Sequence, residues 1–134
     1  MKGRRPGSHD GPLCDQPVGK PPAWLPDTAR KEWVRVIGLL TKMGCEVSAL
    51  HQGALTNYCV SMATVEMATK EITRDGLTIV NAQGNMEKHP ASVALGQALT
   101  QARNYMVELG LTPGSAGKIP KARKEGRKLK FANL

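Results

Sequence analysis

At 134 residues the chain has room for one modest domain, and an aromatic content of 4% favours helices packed on helices over a β-sandwich. The net charge of +8 is spread unevenly: residues 21–117 hold equal numbers of acidic and basic side chains, and the excess lies in residues 1–20 and above all in 118–134. A neutral body with basic ends is not demanded by folding and points to a polyanionic partner.

The three cysteines, Cys14, Cys45 and Cys59, are far apart and form no CxxC pair, so neither a disulfide framework nor a metal framework is expected. A reducing cytoplasm fits that pattern. Lys2, Arg4 and Arg5 are followed by no apolar run, which argues against a signal peptide. No stretch approaches the ~20 apolar residues of a membrane span, so a soluble protein is expected.

Residues 1–22 are rich in Gly, Pro and charge, and read as a disordered basic tail. Trp24 and Leu25 follow and are expected to tack the chain onto a helical body at 23–117. The first helix is predicted from Pro26 to Met43, with Gly44 as its stop and Trp33, Val36, Ile37, Leu40 and Met43 on the buried face. Ser48 caps a long second helix to Asp75. Leu50, Ala54, Tyr58, Met62, Val65, Thr69 and Ile72 step along one face of it, with Leu55, Cys59, Ala63 and Met67 beside them. Such an apolar surplus suits either a two-sided core helix or contact with another subunit.

A small β-hairpin is predicted at about 77–88, around Gly84. Pro90 then opens a third helix that ends before Gly110, with Leu95, Leu99, Ala102, Met106 and Leu109 forming a heptad-like seam. Thr112 and Pro113 suggest a last short turn of helix over 113–119. The segment 118–134 reads as a flexible basic tail.

Several chemical motifs are only approached. Gly114-Ser115-Ala116-Gly117-Lys118 resembles a phosphate loop, but Thr112 stands where its first glycine belongs and Ile119 where a magnesium-binding hydroxyl belongs. His9, His51 and His89 are scattered, with no Cys pair beside them. Glu66 and Glu71 share their helix with Lys70 and Arg74, as expected of a solvated charge lattice. No catalytic constellation, metal site or cofactor is expected, and the chain does not read as an enzyme.

What remains is basic. Lys118, Lys121, Arg123, Lys124, Arg127, Lys128 and Lys130 can follow a phosphate backbone without reading bases. A solubilising terminus, or a docking segment for an acidic protein, fits the same composition. Arg4, Arg5, Arg30, Lys31 and Arg35 are weaker DNA-binding candidates. The first two helices also allow a helix-turn-helix, and with it a small dimeric transcriptional regulator as the alternative function. The second helix, however, opens Ser-Ala-Leu-His-Gln, with no cation in its first turns, which favours an ordinary helical hairpin.

The order of features resembles one family. Pro22-Ala23-Trp24-Leu25 precedes a helix holding Glu32-Trp33, and a helix with central Asn57-Tyr58 follows. Then come the Gly76-Leu77 hairpin, a helix opened by His89-Pro90, and Glu108-Leu109-Gly110-Leu111-Thr112-Pro113-Gly114-Ser115. Over about residues 21–119 this is similar to the P27 family of phage terminase small subunits. Two departures are His89, where the family usually has Asn, and Ala116-Gly117, where it usually has an Arg. An acidic residue common early in the family's second helix is also missing.

The resemblance implies a mainly α fold of three principal helices with a small β-hairpin, assembled into a homo-oligomeric ring of roughly eight to twelve copies. It implies a non-enzymatic protein in the cytoplasm of the infected bacterial host. That protein binds viral double-stranded DNA at the packaging-initiation site. It also recruits or regulates the large terminase subunit, which supplies the ATPase and nuclease. Subunit contacts are then expected at Tyr58, Met62 and Val65 of the second helix and at Leu95, Leu99 and Met106 of the third.

Overall fold

The computed structural model describes residues 14–121. Its elements run α1 (Asp27–Lys42), α2 (Gln52–Asp75), β1 (Thr78–Val80), β2 (Met86–Lys88) and α3 (Ala91–Glu108), with a 3-10 turn at Ala49–His51 leading into α2. The fold is mainly α: three helices and one small antiparallel hairpin, as the sequence leads one to expect.

Two helices stop in the same way. After α1 the chain turns at Gly44, with φ of 76°. There the Gly44 N–H donates to the Thr41 carbonyl and the Cys45 N–H to that of Leu40. After α3, Gly110 takes φ of 66° while Gly110 and Leu111 donate to Val107 and Met106. This paired bonding satisfies orphan carbonyls at a helix end and requires a left-handed residue, which glycine supplies without steric penalty.

The core gathers Leu25, Ala29, Trp33, Val36 and Leu40 from α1 and the stretch before it, Leu55, Tyr58, Cys59 and Ala63 from α2, and Ala102 from α3, with Leu109 and Ile119 beyond it. Thr28 meets Glu66 while Glu32, one turn on, meets Tyr58, two turns back, so α1 and α2 run in opposite directions where they touch. Asn57, near the start of α2, donates to the Tyr105 hydroxyl near the end of α3 (3.1 Å), so that pair is antiparallel too.

The structure corrects three helical details. On α2 the fully buried row is Leu55, Cys59 and Ala63; of the row headed by Leu50, only Tyr58 is buried and Leu50 itself is exposed. On α3 the buried residues are Ala91, Ala98 and Ala102, continued by Leu109 just past the helix: of the predicted seam Ala102 and Leu109 are buried, while Ala98 takes the place expected of Leu95 and Leu99. Small side chains win because they let two helix backbones come close, and the larger Leu99 is left 52% exposed beside them. Met43 and Trp24 are likewise exposed rather than packed, and Leu25 is the side chain buried at the entry to α1.

Beyond Ala68, α2 buries no further residue, and the hairpin continues from its end. β1 and β2 pair Thr78 with Lys88 and Val80 with Met86 around a turn whose Asn81 side chain accepts from the Gln83 and Asn85 N–H groups. His89 locks the hairpin to both helices. Its Nε2–H donates to Asp75 at the end of α2 (2.9 Å), and its Nδ1 accepts the Ala91 N–H at the start of α3 (3.0 Å). Both bonds use the neutral ring, with Nδ1 as acceptor and Nε2 as donor. His89 thus satisfies an orphan N–H at the start of α3, the task suited to an Asn at that position.

Backbone bonds also reach into the segments expected as tails. Val18 donates to the Val47 carbonyl and Ala49 to that of Gln16, so residues 16–18 are held against the α1–α2 connection. Residues 113–119 form turns rather than a helix, closed by Ser115 and Lys118 donating to the carbonyls of Thr112 and Ser115. Ile119, at 1% exposure, anchors that segment in the core. Of the tails expected at 1–22 and 118–134, residues 1–13 and 122–134 lie outside the described residues.

Candidate nucleic-acid interface

The basic residues of α1 are mostly engaged within the chain. Arg30 donates to the Ala23 and Leu25 carbonyls (3.0 and 3.4 Å), tying down the segment that enters α1. Arg35 forms a two-pronged ion pair with Glu32, whose other partner is the buried Tyr58 hydroxyl (2.9 Å). The Arg35 bond holds the Glu32 carboxyl below its ordinary range, against the opposing effect of burial, and the Arg35 guanidinium is raised in turn. Burial, and then the bond to Glu32, push Tyr58 up to about 12. Lys31 is exposed. This face is an ion-pair lattice that braces α1 on α2.

Of the remaining candidates, Lys118 and Lys121 lie in the segment that meets the chain just beyond α1. Here the connection Gly44–Ser48 runs as a short extended segment with a neighbour on each edge. Residues 16–18 pair with 47–49 on one side. On the other, Glu46 N–H donates to the Pro120 carbonyl (2.8 Å) and Cys45 pairs with Lys121. Lys121 is exposed, and Lys118 stands 3.8 Å from Glu108. Arg123, Lys124, Arg127, Lys128 and Lys130 continue the chain from this point, outside the described residues, as do Arg4 and Arg5 at the other terminus.

Two exposed cations at this end, Lys20 and Lys42, were not singled out in the sequence. No local pattern marks them. Lys20 follows the segment paired with residues 47–49, and Lys42 closes α1 just before Gly44, so only the chain's pairing brings them together.

The residues expected at subunit contacts are placed unevenly. Tyr58 is 2% exposed and belongs to the chain's own core. A residue that a single chain already covers has almost no surface left for a second copy. Met62, Val65, Leu95 and Met106 are half-buried, and Leu99 is exposed. Met67, Leu77, Val80, Met86 and Val93 add exposed apolar side chains on α2, the hairpin and the first turn of α3.

Burial pushes the Cys59 thiol up to about 12, which leaves it an inert packing residue at neutral pH. Among the described residues no group of three or more His, Cys, Asp or Glu is placed to hold a metal ion. No helix among them is long and apolar enough to cross a membrane.

No curated protein and no solved structure matches the chain. One family model does match it, over residues 29–126 and hence over α1, α2, the hairpin, α3 and the start of the basic terminus; its description is phage terminase, small subunit.

Proposed function

The chain belongs to the phage terminase small subunit family, and from that premise we propose that it binds viral double-stranded DNA at the packaging-initiation site and recruits or regulates the large terminase subunit. Small terminase subunits are not catalysts, and the family match supports the same non-enzymatic role for this chain. Within the family it is assigned to the P27 group, on the Leu109–Ser115 turn and the Pro90-led helix before it. It acts in the cytoplasm of the infected bacterial host, as a ring of roughly eight to twelve copies with head-to-tail contacts.

The observation that carries this reading is the family match itself, which runs from the helical body into the basic C-terminal segment. DNA is held through Lys118, Lys121, Arg123, Lys124, Arg127, Lys128 and Lys130, with Arg4, Arg5 and Lys31 in lesser roles. The intrachain bonds of Arg30 and Arg35 weigh against those two as DNA contacts. Contacts between copies draw on Leu99 and on the open sides of Met62, Val65, Leu95 and Met106, with Tyr58 behind them as support.

The test must spare Ile119 and the Cys45–Lys121 pairing, so the truncation begins after Lys121. Removing residues 122–134 takes away five cations: Arg123, Lys124, Arg127, Lys128 and Lys130. The truncated protein is expected to keep its helical circular-dichroism signal. It should bind double-stranded DNA more weakly, with a slope of log affinity on log salt shallower by about 4 to 5. Unchanged affinity and slope would rule out the C-terminal segment as the DNA contact.

A further inference from the structure

We propose that His89 is a proton-operated switch in the fold: its neutral ring ties the end of α2 to the start of α3, and its protonated ring keeps α2 and releases the first turn of α3.

The His89 ring is buried, at 6% exposure, and both of its nitrogens are used. Nε2–H donates to Asp75 (2.9 Å), and Nδ1 accepts the Ala91 N–H (3.0 Å). The backbone of the same residue is committed as well. Its N–H donates to the Leu77 carbonyl, and its carbonyl accepts from the Ser92 N–H and hydroxyl. Pro90 has no N–H, so Ala91 supplies the first amide donor of α3, and Nδ1 is the acceptor that serves it.

A second proton on the ring treats the two side-chain bonds differently. Nε2–H keeps its bond to Asp75, which becomes charge-assisted. Arg74 first, and His89 after it, hold the Asp75 carboxyl well below the ordinary carboxylate range, so the acceptor remains an anion in mild acid. Nδ1, by contrast, gains a hydrogen and turns from acceptor to donor, facing another donor. The Ala91 bond is lost, and a cation then stands at a helix N-terminus, where the backbone dipole disfavours it.

No neighbouring group takes over the lost bond. On the elements that meet at the ring, the charged side chains are Lys70, Glu71, Arg74 and Asp75 in the last two turns of α2, and Glu87 and Lys88 on β2. β1 carries none, and α3 carries none before Arg103. Lys70 is paired with Glu66, and Arg74 already donates twice to Asp75 (2.8 and 2.9 Å). The hairpin therefore stays with α2 in both states. Val93, exposed in the first turn of α3, becomes free to move relative to Leu77, Val80 and Met86 on the hairpin side. An Asn side chain can cap the same amide without titrating, so the switch belongs to the histidine and not to the cap.

The experiment is hydrogen exchange of the full chain read by mass spectrometry at about pH 7.5 and about pH 5, corrected for the intrinsic exchange rate at each pH. Wild type, His89→Asn and His51→Asn are compared on peptides carrying the amides of residues 91–93 and of residues 70–76. In the wild type, protection of residues 91–93 is expected to fall by about 2- to 10-fold at the lower pH, the worth of one hydrogen bond, while residues 70–76 keep theirs. His89→Asn should abolish that pH dependence, and His51→Asn, which removes the other described histidine, should leave it in place. Protection at residues 91–93 that is the same at both pH values in the wild type overturns the switch. So does a fall of equal size in His89→Asn, or one that is lost in His51→Asn. A fall shared equally by residues 70–76 also overturns it, because α2 and α3 would then loosen together.

Discussion

Glu32 is the most heavily committed charge in the protein. It sits half-buried between Arg35 on its own helix and Tyr58 on α2, and both partners hold it ionised. Tyr58→Phe removes the hydroxyl donor and leaves the ring. Because Arg35 still serves the carboxylate, a loss of about 1 to 2 kcal/mol is expected in urea unfolding at fixed protein concentration. A change within error would mean that the Tyr58–Glu32 bond contributes little beyond what water supplies.

His51 adds a pH dependence. Burial lowers its pKa below 6.5, and its Nδ1 accepts the Ser48 N–H ahead of α2 (3.0 Å), a role closed to that nitrogen once it is protonated. Below about 6.5 the unfolded chain therefore takes up this proton more readily than the folded one. Stability falls as pH drops through that window, until the lowered folded-state pKa is passed. Urea midpoints at about pH 7.5 and 5.5 should show the decline, and His51→Asn should reduce it. The lowered carboxylates Glu32, Glu66 and Asp75 act in a separate, more acidic window, since their ordinary values are 4.5, 4.5 and 3.8.

Among the elements, helix ends and the hairpin were well marked in the sequence, because glycine and proline punctuate through sterics that act locally. Gly44, Gly76 and Gly110 all stand at positive φ where a helix stops. Helix faces were less legible. Ala102 and Leu109 of the predicted α3 seam are buried. Leu95, Leu99 and Met106 outweigh Ala98 on any hydrophobicity count, yet Ala98 is the one buried, a choice that depends on a partner helix the sequence does not display. The predicted turn of helix after Thr112 gave way to bonding between the Thr112 and Ser115 backbone and side chains, which satisfies the same groups without helical repetition.

Two glycines separate these effects. Gly110→Ala places a Cβ 3.1 Å from the Ser115 carbonyl oxygen at a φ of 66°, and a loss of about 1 to 3 kcal/mol is expected in thermal or urea unfolding. Gly38→Ala, inside α1 with nothing within 4 Å of the new Cβ, should instead stabilise by about 0.5 to 1 kcal/mol. On α3, Leu99→Asp touches an exposed position beside the alanine seam. It should leave helix content intact while lowering the native mass if α3 meets a neighbouring copy. An unaltered mass would place the contact elsewhere.

At the scale of the molecule, backbone bonds hold residues 16–18 and 120–121 against the Gly44–Ser48 connection, outside the 23–117 body expected from the sequence. The reason lies in two anchors that composition hides: the buried Ile119 within a basic segment, and the half-buried Val18 in a stretch dominated by Gly and Pro. Each brings a strand-like segment onto the Gly44–Ser48 connection, so the ends of a neutral helical body share one base. Charge counting found the cationic termini; only the backbone pairing shows that they start from neighbouring points. The exposed apolar side chains of Met67, Leu77, Val80, Met86, Val93 and Leu99 lie on α2, the hairpin and α3, away from that base.

The most direct check is the native mass of the full chain at micromolar concentration and moderate salt. With a protomer of 14.4 kDa, a ring-forming small terminase should appear as a single species of roughly 115 to 170 kDa. A monomer or dimer under those conditions would contradict ring assembly and leave family membership as shared fold without shared architecture.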